Sequence, residues 1–437
     1  LCAAAIGLAR LTRLDITRRL CHTLTRDSDR TKYACPIWSV SLFRHHKNCW
    51  EVNKQMKPLV SADVFPATQH YTYLNAASVS PMSEMAAKAT MDWQEDLALR
   101  GTVNFDEEAE TRVFDTLREV GARLLGAQPD EIAGASNASE SLCSLAWALS
   151  PGRGQNVVSC RIEFPSVVYP WLRVARTTGC EVRLSRDENH IIDPEELLGL
   201  IDDRTSAVCV SHVQYSTGQR LDLRVLADAA HRHGALLIVD ATQSAGAVPI
   251  DVVADDVDLL VTSGYKWLCG PFGAAMLFVR RALHDTLEPG LVGWRSTSTV
   301  FEFQADALNW APSASRYEFG TLAYGCTIGM MTAIEHLLEV GIEEIHRYDL
   351  ALADRLLDGL ANLGAQFVTP APKRLRSSIV TVRFPGQDQA RVARSLNEEG
   401  VVVSPRIGAV RFAPHLYNTT EDIDRALSLL KGILAEA

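Results

Sequence analysis

From about residue 110 to residue 280 the chain repeats one pattern: a short apolar run, a turn, then an amphipathic helical stretch. The apolar runs are NVVSC (156–160), EVRLS (181–185), AVCVS (207–211), ALLIVD (235–240), DLLVTS (258–263) and AAMLFV (274–279). Helical stretches are ASESLCSLAWAL (138–149), PEELLGLI (194–201) and LRVLADAAHRHG (223–234). Strands that are apolar along their whole length must be covered on both faces, and parallel neighbours need a crossover, usually a helix. The pattern therefore predicts an α/β fold with a mostly parallel sheet covered by helices, whose ligands gather at the carboxyl ends of the strands.

After about residue 325 the texture changes to long helices, IGMMTAIEHLLEV and IEEIHRYDLALADRLLDGLANLG, then short strands and a closing helix, TEDIDRALSLLKGILAEA. This predicts a smaller α+β domain: residues 75–335 form the large domain, and 56–74 with 336–437 the small one. The first 55 residues stand apart, with ten Lys and Arg against four Asp and Glu, and the first methionine is Met56. They are read as a non-core leader or an upstream-translated segment.

A net charge of −10 argues against general binding to nucleic acid or to an anionic membrane surface, and no apolar run is long enough to span a bilayer. The ten cysteines form no C-x-x-C pair, which points away from zinc and from a disulfide framework and towards reduced thiols in a cytoplasmic setting. HRH (231–233) sits at a helix end before Gly234 and is read as a solvated helix terminus, so no metal is expected.

Three positions invite chemistry. Asp240 ends a buried strand, where a carboxylate either faces the ligand crevice or caps the next segment. In GASNASESL (134–142), Asn137 and Glu140 have capping-box spacing, and the small Ala138 and Ser139 leave the helix amides open to a phosphate; a plain capped helix has the same spacing. Lys266, in TSGYKWLCGPFG (262–273), lies between Tyr265 and Trp267. It is either a snorkelling lysine or a partly desolvated, nucleophilic one. Together a lysine, a carboxylate and an anion site suit pyridoxal 5′-phosphate, which needs each of them.

With these residues placed, the chain resembles the class V aminotransferase family of fold-type I pyridoxal-phosphate enzymes, whose members include cysteine desulfurases, selenocysteine lyases and isopenicillin-N-epimerase-like proteins. The resemblance runs from YLNAASVSPMS (73–83) nearly to the C-terminus. VDATQSAG resembles D-A-x-Q, which implies Asp240 on the pyridine nitrogen and Gln243 near the ring oxygen. SGYKWLCGPFG resembles S-G-x-K-x-x-G-P, which implies Lys266 as the Schiff-base lysine and places Ser263 and Tyr265 near the phosphate. NASES resembles the phosphate-binding helix start, with Ala138 and Ser139 as ligands. RYEFGT (316–321) resembles R-F-E-x-G-T, which implies that Thr321 reaches the cofactor of a partner subunit and that the protein is a homodimer with shared sites. VRFAPHLYNTTEDID (410–424) resembles the motif whose arginine holds the substrate carboxylate, here Arg411, and Asn75 is expected beside the same substrate.

Two positions depart from the desulfurase pattern. Phe164 stands where a ring-stacking histidine is found, and Tyr215 where many relatives have asparagine; both are expected against the cofactor. The segment VVVSPRIGAVRF (401–412) holds no cysteine, which argues against persulfide-forming cysteine desulfuration. The resemblance implies an enzyme that forms a Schiff base with a small α-amino acid and removes its α-proton, giving transamination or β-elimination of the C–S lyase type. An epimerase and a cofactor-free scaffold of the same fold are the alternatives.

Overall fold

All six apolar runs form strands, and a seventh, Ile132–Ala135, joins them in one sheet. The computed structural model describes residues 56–436, which fall in one compact unit; the expectations for residues 1–55 lie outside them. Across the sheet the order is Ile132–Ala135, Ala275–Val279, Leu259–Ser263, Leu236–Asp240, Thr205–Ser211, Asn156–Cys160 and Glu181–Ser185. The five strands from Leu259–Ser263 to Glu181–Ser185 are parallel neighbours, whereas Ala275–Val279 runs antiparallel to both of its partners. Ile132–Ala135 escapes sequence reading because IAGA offers one large apolar side chain and no alternation.

Period-two alternation sends neighbouring side chains to opposite faces. Leu237 and Val239 enter one hydrophobic cluster with Val208, Val210 and Leu260, while Ile238 enters another with Cys209, Leu259 and Val261. Helices cover both faces, as continuous apolar strands require. Two helices not anticipated from the sequence, Glu84–Arg100 and Glu107–Leu125, precede the sheet. Glu84–Arg100 packs on Tyr324–Val340, where a Cβ at Gly325 would lie 2.9 Å from Trp93, so the missing side chain lets the two helices approach.

The C-terminal segment builds a four-stranded antiparallel sheet in the order Gln366–Phe367, Val380–Arg383, Ala409–Phe412, Ser404–Arg406. Val380, Val382, Val410 and Phe412 form its core with Leu352, Leu356 and Leu396 of the covering helices. The early segment Thr72–Tyr73 pairs in parallel with Val401–Val402, and Asn75 bridges to Ala413. Residues 72–78 are thereby laid beside the C-terminal hairpin. Among the described residues no helix is long and apolar enough to cross a membrane.

The turn after Asp240 fits against the turn that carries Lys266. Gly246 has φ +96°, and a Cβ there would lie 2.4 Å from the Trp267 carbonyl oxygen. A side chain at this position meets both a disfavoured backbone conformation and rigid main chain. Gly246→Ala is expected to cost about 2–3 kcal/mol in chemical denaturation; a loss under ~0.5 kcal/mol would show that the two turns are not held together.

Candidate active site

Parallel strands deliver their chemistry where they end. Asp240 is the last residue of Leu236–Asp240, and Ser263 the last of the adjacent Leu259–Ser263. Lys266 follows three residues on, in a turn closed by the Cys269 amide donating to the Lys266 carbonyl (2.8 Å) and the Gly270 amide to that of Gly264 (2.9 Å). Cys269 takes the left-handed conformation (φ 53°), a strained state that its surroundings must hold. Lys266 is buried, with Nζ 5.5 Å from the Phe164 ring centroid and 5.7 Å from that of Tyr265. Burial pulls its pKa down to about 8; Asp240 opposes this, and Arg411 and Arg406 reinforce it. Asp240 accepts from the Thr242 amide (2.8 Å) and forms no ion pair within bonding distance, so burial raises its carboxyl while Lys266 pulls it back.

Phe164 opens the helix Pro165–Thr178 without capping it, because its side chain cannot accept a hydrogen bond. The ring is instead 43% exposed and meets Tyr215 edge to face, centroids 5.4 Å apart. Beneath it lies Glu163, which sequence reading missed. Its carboxylate accepts from the Ser211 amide (2.8 Å), the Ser211 hydroxyl (2.5 Å) and the Gln214 side-chain amide (2.7 Å). Burial lifts it to about 7 against those bonds. Glu163 thus ties the ends of two strands together under Phe164 and Tyr215.

Arg411 is also buried, donating from Nη1 to the Tyr215 carbonyl (2.6 Å) and from Nη2 to the Ser78 hydroxyl (2.6 Å). Its Nε is buried without a partner, and burial holds its pKa down to about 9. Asn75 lies nearby: its side-chain oxygen accepts from the Ser404 hydroxyl (2.8 Å), which also contacts Ser78 Oγ (3.0 Å). Ser78 was not singled out from the sequence, since a serine in AASVS carries no spacing signal.

At the other side of the crevice, Asn137 caps Ala138–Leu149 by accepting from the Glu140 amide (2.9 Å). Glu140 accepts from Ser136 (3.3 Å) rather than from Asn137, so the box is displaced by one residue. The Ala138 amide donates to Ser263 Oγ (3.0 Å), and the exposed Ser139 hydroxyl contacts that of Ser166 (2.6 Å). A helix N-terminus with three hydroxyls has the donors that a phosphate needs. Tyr265 stacks on Phe272 (4.6 Å, 24°). Gln243 has both ends of its amide engaged, donating to the Ala77 carbonyl (2.9 Å) and accepting from Trp267 Nε1 (2.8 Å). Thr321 is exposed.

Behind the lysine, His415 is fully buried between the Asp349 carboxylate (Nδ1, 2.7 Å) and the Trp267 carbonyl (Nε2, 3.0 Å). Burial opposes the imidazolium, but the Asp349 carboxylate overcomes it and holds His415 at about 10.

A family model described as Aminotransferase class-V matches residues 70–426. The chain belongs to the class V aminotransferase family. Pyridoxal 5′-phosphate is the cofactor of this family, and a buried lysine amine, a strand-end carboxylate, an open aromatic face and a hydroxyl-lined helix start are the groups it needs. The chain is 31% identical over 364 residues to Uncharacterized aminotransferase YcbU of Bacillus subtilis, covering 83% of this chain and 95% of the relative. It is 28% identical over 385 residues to a cysteine desulfurase of Haloferax volcanii, covering 83% and 89%. The apo structure of the cysteine desulfurase from Thermococcus onnurineus superposes with a TM-score of 0.78 at 25% identity, covering 87% of this chain and 99% of that one. The latter two are desulfurases, and they overturn the expectation set against persulfide-forming desulfuration. That expectation rested on one loop cysteine, whereas the similarity extends over most of the chain.

Two pH dependences follow from the buried cations. Only an unprotonated Lys266 attacks an aldehyde, so the rate at which apoprotein turns yellow with pyridoxal phosphate is expected to rise with pH through about 8. Because Asp240 holds that value up, Asp240→Asn shifts the midpoint lower; an unmoved midpoint would mean the two groups do not interact. His415 has a raised folded-state value, so its contribution is complete below its ordinary 6.5 and is lost as pH rises towards about 10. The urea-midpoint gap between wild type and the uncharged pair His415→Gln with Asp349→Asn should therefore shrink across that window. A pH-independent gap would show that the pair is uncharged.

Proposed function

We propose that this protein is a homodimeric pyridoxal-phosphate enzyme of amino-acid metabolism that cleaves the Cβ–S bond of a small sulfur-bearing α-amino acid. The observation that carries this reading is the buried Lys266 amine, flanked by the open Phe164 ring and lying in the field of Asp240 and Arg411. The desulfurase names among the relatives support the choice of bond.

When bound, the cofactor supplies an electron sink for charge that develops at the substrate α-carbon. The remaining work belongs to the chain. Lys266 is the attachment point, and once displaced its amine takes the α-proton; a pKa near 8 leaves a useful fraction of free base at neutral pH. Asp240 would hold the ring nitrogen of the cofactor and favour its protonated form. Phe164 would cover one ring face and cannot itself move a proton, and Tyr215 would close that side. Ser139, Ser263 and the Ala138 amide would take the phosphate, with Tyr265 beside them. Gln243 acts near the ring oxygen while bracing Trp267. Arg411, already held by Ser78 and the Tyr215 carbonyl, grips the α-carboxylate with little ordering cost, and Asn75 lines the same place.

The homodimer accounts for surface that one chain leaves bare. Helix Glu84–Arg100 buries only Ala86 and exposes Met85, Met91, Leu97 and Leu99; Phe272, stacked on Tyr265, is 61% exposed. In such a dimer Thr321 serves the other subunit's site.

Transamination is the second reading, favoured by the aminotransferase name of the 31% identical relative. Borohydride reduction followed by mass mapping should fix the cofactor on Lys266, and sedimentation should give twice the chain mass. Incubation with L-cysteine, L-cystine and S-alkyl cysteines is expected to release sulfide, persulfide or thiol. Lys266→Ala should lower that rate roughly 10²–10⁴-fold. Keto acid formed with neither ammonia nor a sulfur product would establish transamination instead, and absence of any lysine adduct would sink both readings.

A further inference from the structure

The C-terminal hairpin carries a second arginine that the proposed chemistry leaves unused. Ser404 pairs with Arg411 and Arg406 with Ala409, joined through Ile407 and Gly408. Directly paired residues, and residues two apart on one strand, project from the same face. Register alone therefore points Ser404, Arg406 and Arg411 to one side, towards residues 75–78. Ser78 Oγ receives Arg411 Nη2 at 2.6 Å and lies 3.4 Å from Arg406 Nη2. Two guanidinium groups thus converge on one neutral hydroxyl.

Neither has a counter-charge. Among the described residues neither Arg406 nor Arg411 forms an ion pair, and the other strong contact of Arg406 is with the Pro405 carbonyl (2.8 Å). The charge on Arg406 works with burial to lower Arg411, and both arginines disfavour the charge on Lys266. The hairpin that sets them together is strained. Ile407 has φ 48° and Gly408 φ 65°, the left-handed pair of a tight two-residue turn, where a β-branched residue is an outlier. The Arg383 side chain holds the turn from behind, donating from Nη2 to the Ile407 carbonyl (3.2 Å). Such strain persists where the surroundings over-determine it.

One carboxylate suffices for Arg411. Resting on the proposed function, we infer that Arg406 recognises a second anionic group, a carboxylate or an oxidised-sulfur anion, at the end of the substrate's side chain. The α-carboxylate neutralises the buried Arg411, and the side-chain anion neutralises the half-buried Arg406 at the mouth. Arg406 is a specificity residue here and takes no part in proton transfer.

The test uses holoenzyme titrated by its visible absorption with two pairs of near-isosteric ligands: S-carboxymethyl-L-cysteine against S-carbamoylmethyl-L-cysteine, and L-glutamate against L-glutamine. In the wild type the acid of each binding pair should bind about tenfold tighter than its amide, the effect of one charge-assisted contact. That ratio should fall towards one in Arg406→Gln and recover in part in Arg406→Lys. Arg411→Gln should weaken acid and amide alike, because both carry the α-carboxylate. A wild-type ratio near one, a ratio unchanged in Arg406→Gln, or no spectral response to any of the four ligands would overturn the inference. Discrimination seen only with glutamate and glutamine would keep Arg406 and remove the sulfur substrate. Thioether cleavage without discrimination would do the reverse.

Discussion

The turn that follows Ser263 buries Lys266 and Trp267 side by side, and most of the site takes its position from that burial. A tryptophan removes roughly 150–250 Å² from water, which gives this turn a large apolar anchor. Its one polar atom is satisfied by Gln243, from the turn after Asp240, and its carbonyl receives His415 from the C-terminal segment. Lysine and carboxylate are therefore not independently placed. The contact that fixes the indole brings their two turns together, and Gly246 is the residue whose small size permits the approach.

Burial also sets the chemistry. Three cations surround a crevice whose nearest carboxylates, Asp240 and Glu163, are both lifted by desolvation. Lys266 and Arg411 are pushed towards neutrality for the same reason. A phosphate-bearing cofactor and a carboxylate-bearing substrate complement such a field, because each new negative charge relieves a cation that is largely shielded from water. Phe164 adds a face that can stack and cannot titrate, which in the proposed reaction leaves the proton at the α-carbon to Lys266.

What can be read along the chain is uneven for a physical reason. Strands apolar on both faces announced the parallel sheet, and the carboxyl ends of two of them announced Asp240 and Lys266. Ile132–Ala135 and the antiparallel direction of Ala275–Val279 were hidden, since neither small residues nor strand direction leave a mark in an apolar run. Arg411 was found through its motif, but its partners Ser78 and the Tyr215 carbonyl were not, because they are some 330 and 200 residues distant in sequence. Glu163 and His415 look like ordinary polar residues until burial makes their charge costly.

By itself the sequence determined the layered architecture, the cofactor class and the residues at the strand ends, because these follow from local periodicity and from where a charged residue interrupts an apolar run. Only the tertiary structure decided which of those residues share a field. The register of one hairpin turned Arg406 and Arg411 to the same side, and the parallel pairing of Thr72–Tyr73 with Val401–Val402 laid Ser78 between them. Charge at a distance, burial and side-chain direction are properties of the folded chain, and local pattern cannot encode them.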